Sequence, residues 1–132
     1  KPLTSFKFSP YKNKKNLREV FINQGKKDTG YSPIKWAKKV EPYVGEFFLT
    51  SIDHEGMRNG YDKDYIKKFN QEVKLPTICF GGVSKFEHFY EGIISGASAV
   101  AAANFFHYNE FSTIYANQYL KEKNIPVRGL ND

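Results

Sequence analysis

Apolar side chains along this chain fall into short blocks whose spacing switches from alternating to helical and back. Glu19 to Gln24 (EVFINQ) alternates as a short strand does, and Gly25-Lys26-Lys27-Asp28-Thr29-Gly30 behind it reads as a turn. Ser32 and Pro33 pair a capping side chain with a first-turn proline, predicting a helix through Trp36, Ala37 and Val40 to about Glu41. Glu46 to Ile52 is almost continuously apolar, the pattern of a strand buried on both faces. Asp62 then caps a helix whose Tyr65, Ile66, Phe69 and Val73 make one stripe. Pro76 to Phe80 predicts a second buried strand, ending in Gly81-Gly82. Ser84-Lys85-Phe86-Glu87 has capping-box spacing, so a helix runs from there to Ser95 and stops at Gly96. Ala99 to Ala103 reads as a strand of small residues, Asn104 to Tyr108 as a helical turn, and Ser112 as the cap of a last helix reaching Lys123. Lys1 to Arg18 is polar, basic and weakly periodic, and reads as a long loop.

The order strand, helix, strand, helix, strand, helix, with short connections, predicts an α/β fold with parallel strands. Three such units suit part of a (β/α)8 barrel or a small open sheet. A complete barrel needs about 200 residues or more, so 132 residues hold only part of one.

Composition narrows the classes. At 40% hydrophobic and 17% aromatic the chain is globular. One cysteine, Cys79, excludes a disulfide framework and fits a reducing cytoplasm. Neither a membrane-length apolar run nor a signal-peptide pattern is present. Twenty basic against fourteen acidic residues give +6, with much of the excess between Lys1 and Lys39. Such charge suits nucleic acid, anionic small substrates or simply a solvated lysine face. No RNA-binding aromatic signature or zinc-finger spacing supports the first.

Reactive side chains crowd Phe47 to Asp62 (FFLTSIDHEGMRNGYD), where Thr50, Asp53 and Glu55 stand at the end of the apolar strand. Carboxylates at the C-terminal end of a strand can orient a substrate or move a proton. They can equally brace the loop. Gly81-Gly82 lets backbone approach an anion at a helix start, and Ala103-Asn104 takes the matching place after the last strand. A glycine pair alone is more often a tight turn; two such places on adjacent loops make a phosphate site the stronger reading. Threonine at position 50 is also ordinary in a strand. His54, His88 and His107 have no metal-ligand spacing with the carboxylates, and His88 and His107 read as structural. Cys79 lacks a paired base and is not expected to be a nucleophile.

Four segments, LTSIDHEGMRNGYD, CFGGVSKFEHF, GASAVAAANFFHY and YLKEKNIPVR, together with the GKKDTG turn and the tryptophan after it, resemble the cyclase subunit of imidazole glycerol phosphate synthase. The likeness covers Val20 to Arg128 in order and at family spacing. It implies the C-terminal half of a TIM barrel, strands six to eight with their helices, with residues 1–31 a long loop after strand five. It implies a cyclase that takes ammonia from a glutaminase subunit and converts a phosphoribulosyl aminoimidazole-carboxamide nucleotide into imidazole glycerol phosphate and an aminoimidazole-carboxamide ribonucleotide. No cofactor or metal is implied, and neither nucleic acid nor membrane is expected as a partner.

The same likeness assigns roles. Asp53, Glu55 and Thr50 become catalytic candidates. Gly56, Gly81, Gly82, Ala103 and Asn104, with Lys26, Lys27 and Thr29, become substrate-phosphate candidates. Glu46, at the opposite end of its strand, becomes an ammonia gate, although a lone exposed glutamate is the ordinary reading; surface lysines are the ordinary reading of Lys26 and Lys27. The family's two acid–base aspartates, on strands one and five, are not expected here, because Lys1 is placed just past strand five. Glu55 stands where the usual cyclase has Asp and Met57 where it has Thr. Those departures, with a long loop before the GKKDTG turn, also resemble paralogues that pass ammonia to sugars in surface-polysaccharide synthesis. A third reading is a non-catalytic, phosphate-binding half-barrel. The bare sheet edges of half a barrel are expected to be covered by the barrel's N-terminal half or by a second copy.

Overall fold

The computed structural model of the chain describes residues 3–9, 18–107 and 112–128, the first range as a backbone strand. Six strands form one sheet: β1 (Leu3–Ser9), β2 (Glu19–Ile22), β3 (Lys27–Asp28), β4 (Glu46–Ser51), β5 (Thr77–Phe80) and β6 (Ala99–Ala101). Their spatial order is β3-β2-β1-β4-β5-β6. β1, β4, β5 and β6 run parallel, while β2 and β3 add an antiparallel hairpin on the other side of β1. The helices are α1 (Pro33–Val40), α2 (Lys63–Glu72), α3 (Phe86–Ile94), the single turn α4 (Asn104–His107) and α5 (Ser112–Glu122).

The α/β class with parallel strands is therefore present, but the described residues form an open sheet and close no barrel. The reading of residues 1–31 as loop fails at Leu3–Ser9 and at Lys27–Asp28, both of which are strands. Leu3–Ser9 pairs with β4 in parallel register, Phe6 opposite Leu49 and Lys7 opposite Thr50, and with β2 on its other side. A strand thus lies beside β4 where the sequence reading put only loop beyond strand five. Thr4, Phe6 and Phe8 alternate with Ser5, Lys7 and Ser9, a two-residue period that the surrounding lysines dilute. Ladder partners on both flanks decide the matter.

Helix starts follow local chemistry where a side chain reaches the backbone. Ser32 accepts from the Lys35 N–H at 3.3 Å, and Pro33 occupies the first turn of α1. Asp62 accepts from the Tyr65 N–H at 3.3 Å at the start of α2. The capping box expected at Ser84 does not form: α3 begins at Phe86 after Lys85, with no side-chain cap. Ser112 is the first residue of α5, which stops at Glu122. β6 ends at Ala101, so Ala102 and Ala103 leave the ladder, and Tyr108 lies outside the described residues.

The core lies between the sheet and α1, α2, α3 and α5. Phe47, Leu49, Thr77 and Cys79 are buried on the helix side, and Phe47 meets Phe69 edge-to-face with centroids 5.8 Å apart. Burial of Phe69 is complete, so its truncation to alanine would cost about 3–5 kcal/mol. β4 is not buried evenly on both faces, as its unbroken apolar run suggests. Glu46 and Phe48 on the other face are half-buried, and Phe48 instead packs on Phe80 at 5.7 Å.

Candidate functional site

Three connections converge at the C-terminal ends of the parallel strands. After β4, the Glu55 N–H donates to Ser51 O at 3.1 Å and the Met57 N–H to His54 O at 3.1 Å, coiling residues 52–61 into a compact loop. After β5 comes Gly81-Gly82, and after β6 come Ala102, Ala103 and Asn104. The Gly60 N–H donates to Gly82 O at 2.8 Å, joining the first two connections, and the Tyr61 hydroxyl donates to Ala101 O at 2.8 Å, joining the first to the third.

The glycine pair is required by that closeness. A Cβ on Gly82 would lie 2.3 Å from Gly60 O, and one on Gly81 would lie 2.8 Å from Ser51 O. Both residues have φ near +100°, at 112° and 91°. Only a residue without a side chain lets these backbones touch.

A cleft of about 280 Å³ opens between the three connections. Glu55, Gly56 and Arg58 line it from the first, Gly81 to Ser84 from the second, and Ala102 to Phe105 from the third. Phe105 makes an apolar wall, wedged edge-to-face against Phe86 at 5.2 Å and Phe89 at 5.4 Å. The charged side chains on the lining are Glu55 and Arg58. A Cβ on Gly81 would stand 3.5 Å from Glu55 Oε2, which places that carboxylate at the glycine wall. Arg58 has left-handed backbone (φ 58°), unusual for a residue with a side chain, and its carbonyl accepts from Ser84 Oγ at 2.7 Å. Among the described residues its guanidinium has no acidic partner. A small cleft with three glycines, one cation and one carboxylate on its lining suits a ligand carrying an anionic group beside hydroxyl or amine groups.

The candidates divide accordingly. Glu55, Gly56, Gly81, Gly82, Ala103 and Asn104 share the cleft. Asp53 lies on the same loop but not on the lining, so the two carboxylates do not stand together in the cleft. Thr50 is buried (4% exposed) at the end of β4, also off the lining, and Glu46 is at the strand's far end. Lys26 and Lys27 are exposed on the β2–β3 hairpin, whose Gly25 packs near Ile52. The Thr29 hydroxyl is engaged within that hairpin, donating to Val20 O at 2.8 Å and accepting from the Tyr31 N–H at 3.3 Å.

Arg58, Ser84 and Phe105 are lining residues that sequence reasoning passed over. A basic residue inside the glycine-flanked run G-M-R-N-G was the available signal for Arg58. His88, read as structural, is buried under the cleft wall, where its Nδ1 accepts from the Ser84 N–H at 3.2 Å. Cys79 is buried in the core, which pushes its thiol pKa up to about 12. Among the described residues no group of His, Cys, Asp and Glu is arranged to hold a metal, and no helix is long and apolar enough to cross a membrane.

The family described as "Histidine biosynthesis protein" matches residues 11–112. The imidazole glycerol phosphate synthase subunit HisF of Endomicrobium trichonymphae is 44% identical over 110 residues, 83% of this chain and 42% of that relative. Its counterpart in Pyrobaculum aerophilum is 43% identical over 111 residues, 83% of this chain and 44% of that relative. The chain spans less than half the length of these curated relatives.

Proposed function

The chain belongs to the histidine biosynthesis protein family, and from that premise we propose that its cleft holds the phosphate end of a small-molecule substrate in a cyclase subunit. The observation that carries the reading is the convergence of Gly81-Gly82, Ala103-Asn104 and Glu55-Gly56 on one cleft at the ends of β4, β5 and β6. Glycines at positive φ let amide groups approach an anion, and Arg58 supplies a positive charge. Glu55 is the carboxylate placed to orient the substrate or move a proton beside it, with Asp53 bracing the loop behind. In the complete protein the open sheet is one arc of a (β/α)8 barrel, and the barrel's remaining strands cover its bare edges. Ammonia comes from a glutaminase subunit, entering at the Glu46 end of the strands, and the reaction forms imidazole glycerol phosphate.

One observation favours a second acceptor. β1, in parallel register beside β4, occupies the place expected of strand five, yet LTSFKFS contains no aspartate, and Lys7 stands opposite Thr50. Missing an acid–base residue there, and with Glu55 and Met57 in the loop, the site also suits transfer of ammonia to a sugar in polysaccharide synthesis.

Turnover of the histidine precursor by the full-length protein with ammonium salt tests the first reading. Release of imidazole glycerol phosphate, reduced strongly by Glu55→Gln, supports it. No turnover, with ammonia instead consumed on a nucleotide sugar, supports the second. Failure of the protein to bind any phosphorylated ligand would sink both.

A further inference from the structure

We propose that His88 is a positioning residue whose neutral ring latches the wall of the cleft, so that anion binding is lost when His88 takes up a proton. The proposal rests on reading the cleft as a phosphate site.

The contacts form a closed circuit. Ser84 donates its N–H to His88 Nδ1 at 3.2 Å and its hydroxyl to Arg58 O at 2.7 Å. Gly60, two residues after Arg58, donates its N–H to Gly82 O at 2.8 Å. The His88 ring lies against Gly60, where a Cβ would sit 3.1–3.3 Å from Cδ2, Nε2 and Cγ. One imidazole therefore touches both connections flanking the cleft, and Ser84 passes its position on to the residue that bears the cleft's cation. His54 braces the same turn, with Nδ1 3.0 Å from Gly60 O.

An N–H donor at Ser84 requires a lone pair on Nδ1, which exists only in the neutral ring with its proton on Nε2. Protonation sets two N–H groups head to head. Ser84 must then turn away, and its hold on Arg58 goes with it. Burial lowers the His88 pKa. Glu91 and Glu87 act to raise it, and Lys85 and Lys63 act with burial. At neutral pH the latch is closed; acid opens it.

Sulfate is the probe of choice, because it stays a dianion across the range in which phosphate itself titrates. Its affinity for the full-length protein is measured at about pH 7.5 and about pH 5.5, on either side of the usual histidine range. Losing a hydrogen bond of this kind is worth about tenfold in affinity, so wild type should bind about tenfold more weakly at the lower pH. His88→Asn places an oxygen near the Nδ1 position that cannot be protonated; it should bind as wild type does at high pH and stay nearly flat. His88→Leu should bind weakly at both. A pH loss in His88→Asn equal to that of wild type, or wild-type affinity in His88→Leu, overturns the proposal. Ring nitrogen shifts by NMR give a reading independent of ligand. The latch requires Nδ1 to be unprotonated at neutral pH, and a proton found there refutes it even if no variant folds. If wild type binds no sulfate at either pH, the phosphate reading fails, and the nitrogen shifts alone decide whether the latch exists.

Discussion

Replacing Gly82 by alanine probes the closest contact in the site. The new methyl would lie 2.3 Å from Gly60 O, 3.0 Å from Gly60 C and 3.1 Å from His54 O, all backbone atoms that no rotamer change can move. Positive φ (91°) adds about 1–2 kcal/mol for a residue with a Cβ. Relief of the clash requires the connections to part, breaking the Gly60–Gly82 hydrogen bond, worth about 1 kcal/mol. Together these destabilise the fold by about 2–3 kcal/mol. Gly56→Ala is the internal control. It shares a positive φ of 79° but meets nothing within 4 Å, so only the backbone penalty of about 1–2 kcal/mol applies. Urea unfolding followed by circular dichroism measures both, and sulfate titration measures the cleft. Gly82→Ala should lose clearly more stability than Gly56→Ala and should bind sulfate poorly. Equal losses in the two variants would refute the claim that backbone contact between the connections builds the cleft.

Arg58→Gly should separate binding from folding: relief of the left-handed strain stabilises by up to about 1 kcal/mol while sulfate affinity drops about tenfold. Unfolding and titration on one sample would show whether the two move in opposite directions. Arg18 forks onto both oxygens of Asp62, at 2.9 and 3.1 Å, and lies 4.5 Å over the Tyr65 ring. Arg18→Ala should therefore cost about 1–3 kcal/mol in urea unfolding, since it strands a largely buried carboxylate. With its pKa near 12, the Cys79 thiol should resist maleimide at pH 8 in the native protein and react once urea exposes it. His88 is depressed below its ordinary value of 6.5, so the unfolded chain binds more protons in that window, and stability should fall as pH drops below about 6.5. Thermal melts of wild type and His88→Asn between about pH 5 and 7.5 would show the loss in the first and not the second.

Patterns that live within a few neighbouring residues were legible in the sequence. The Ser32-Pro33 and Asp62 starts, which work through contacts three residues away, and the period of the Tyr65–Val73 stripe showed in this way; the glycine pair showed as a motif, although its reason, close contact with Ser51 O and Gly60 O, is distant in sequence. So did the grouping of Glu55, Gly56, Gly81, Gly82, Ala103 and Asn104, because each stands just past the end of its strand. Ser84 shows the limit. Its spacing to Glu87 matched a capping box, but folding brought Arg58 O within reach of the hydroxyl and His88 within reach of the amide.

Sequence alone, then, determined the alternation of strands and helices, the family, and the loops on which acidic and glycine residues meet. Tertiary structure decided the rest: that Leu3–Ser9 is a strand, that Thr29 spends its hydroxyl inside a hairpin, and that Arg58 is fixed in the cleft by a serine 26 residues away. Those outcomes depend on which distant backbone supplies the partner for a donor or a ladder. No local period encodes that choice; it is settled only when parallel strands bring their ends together.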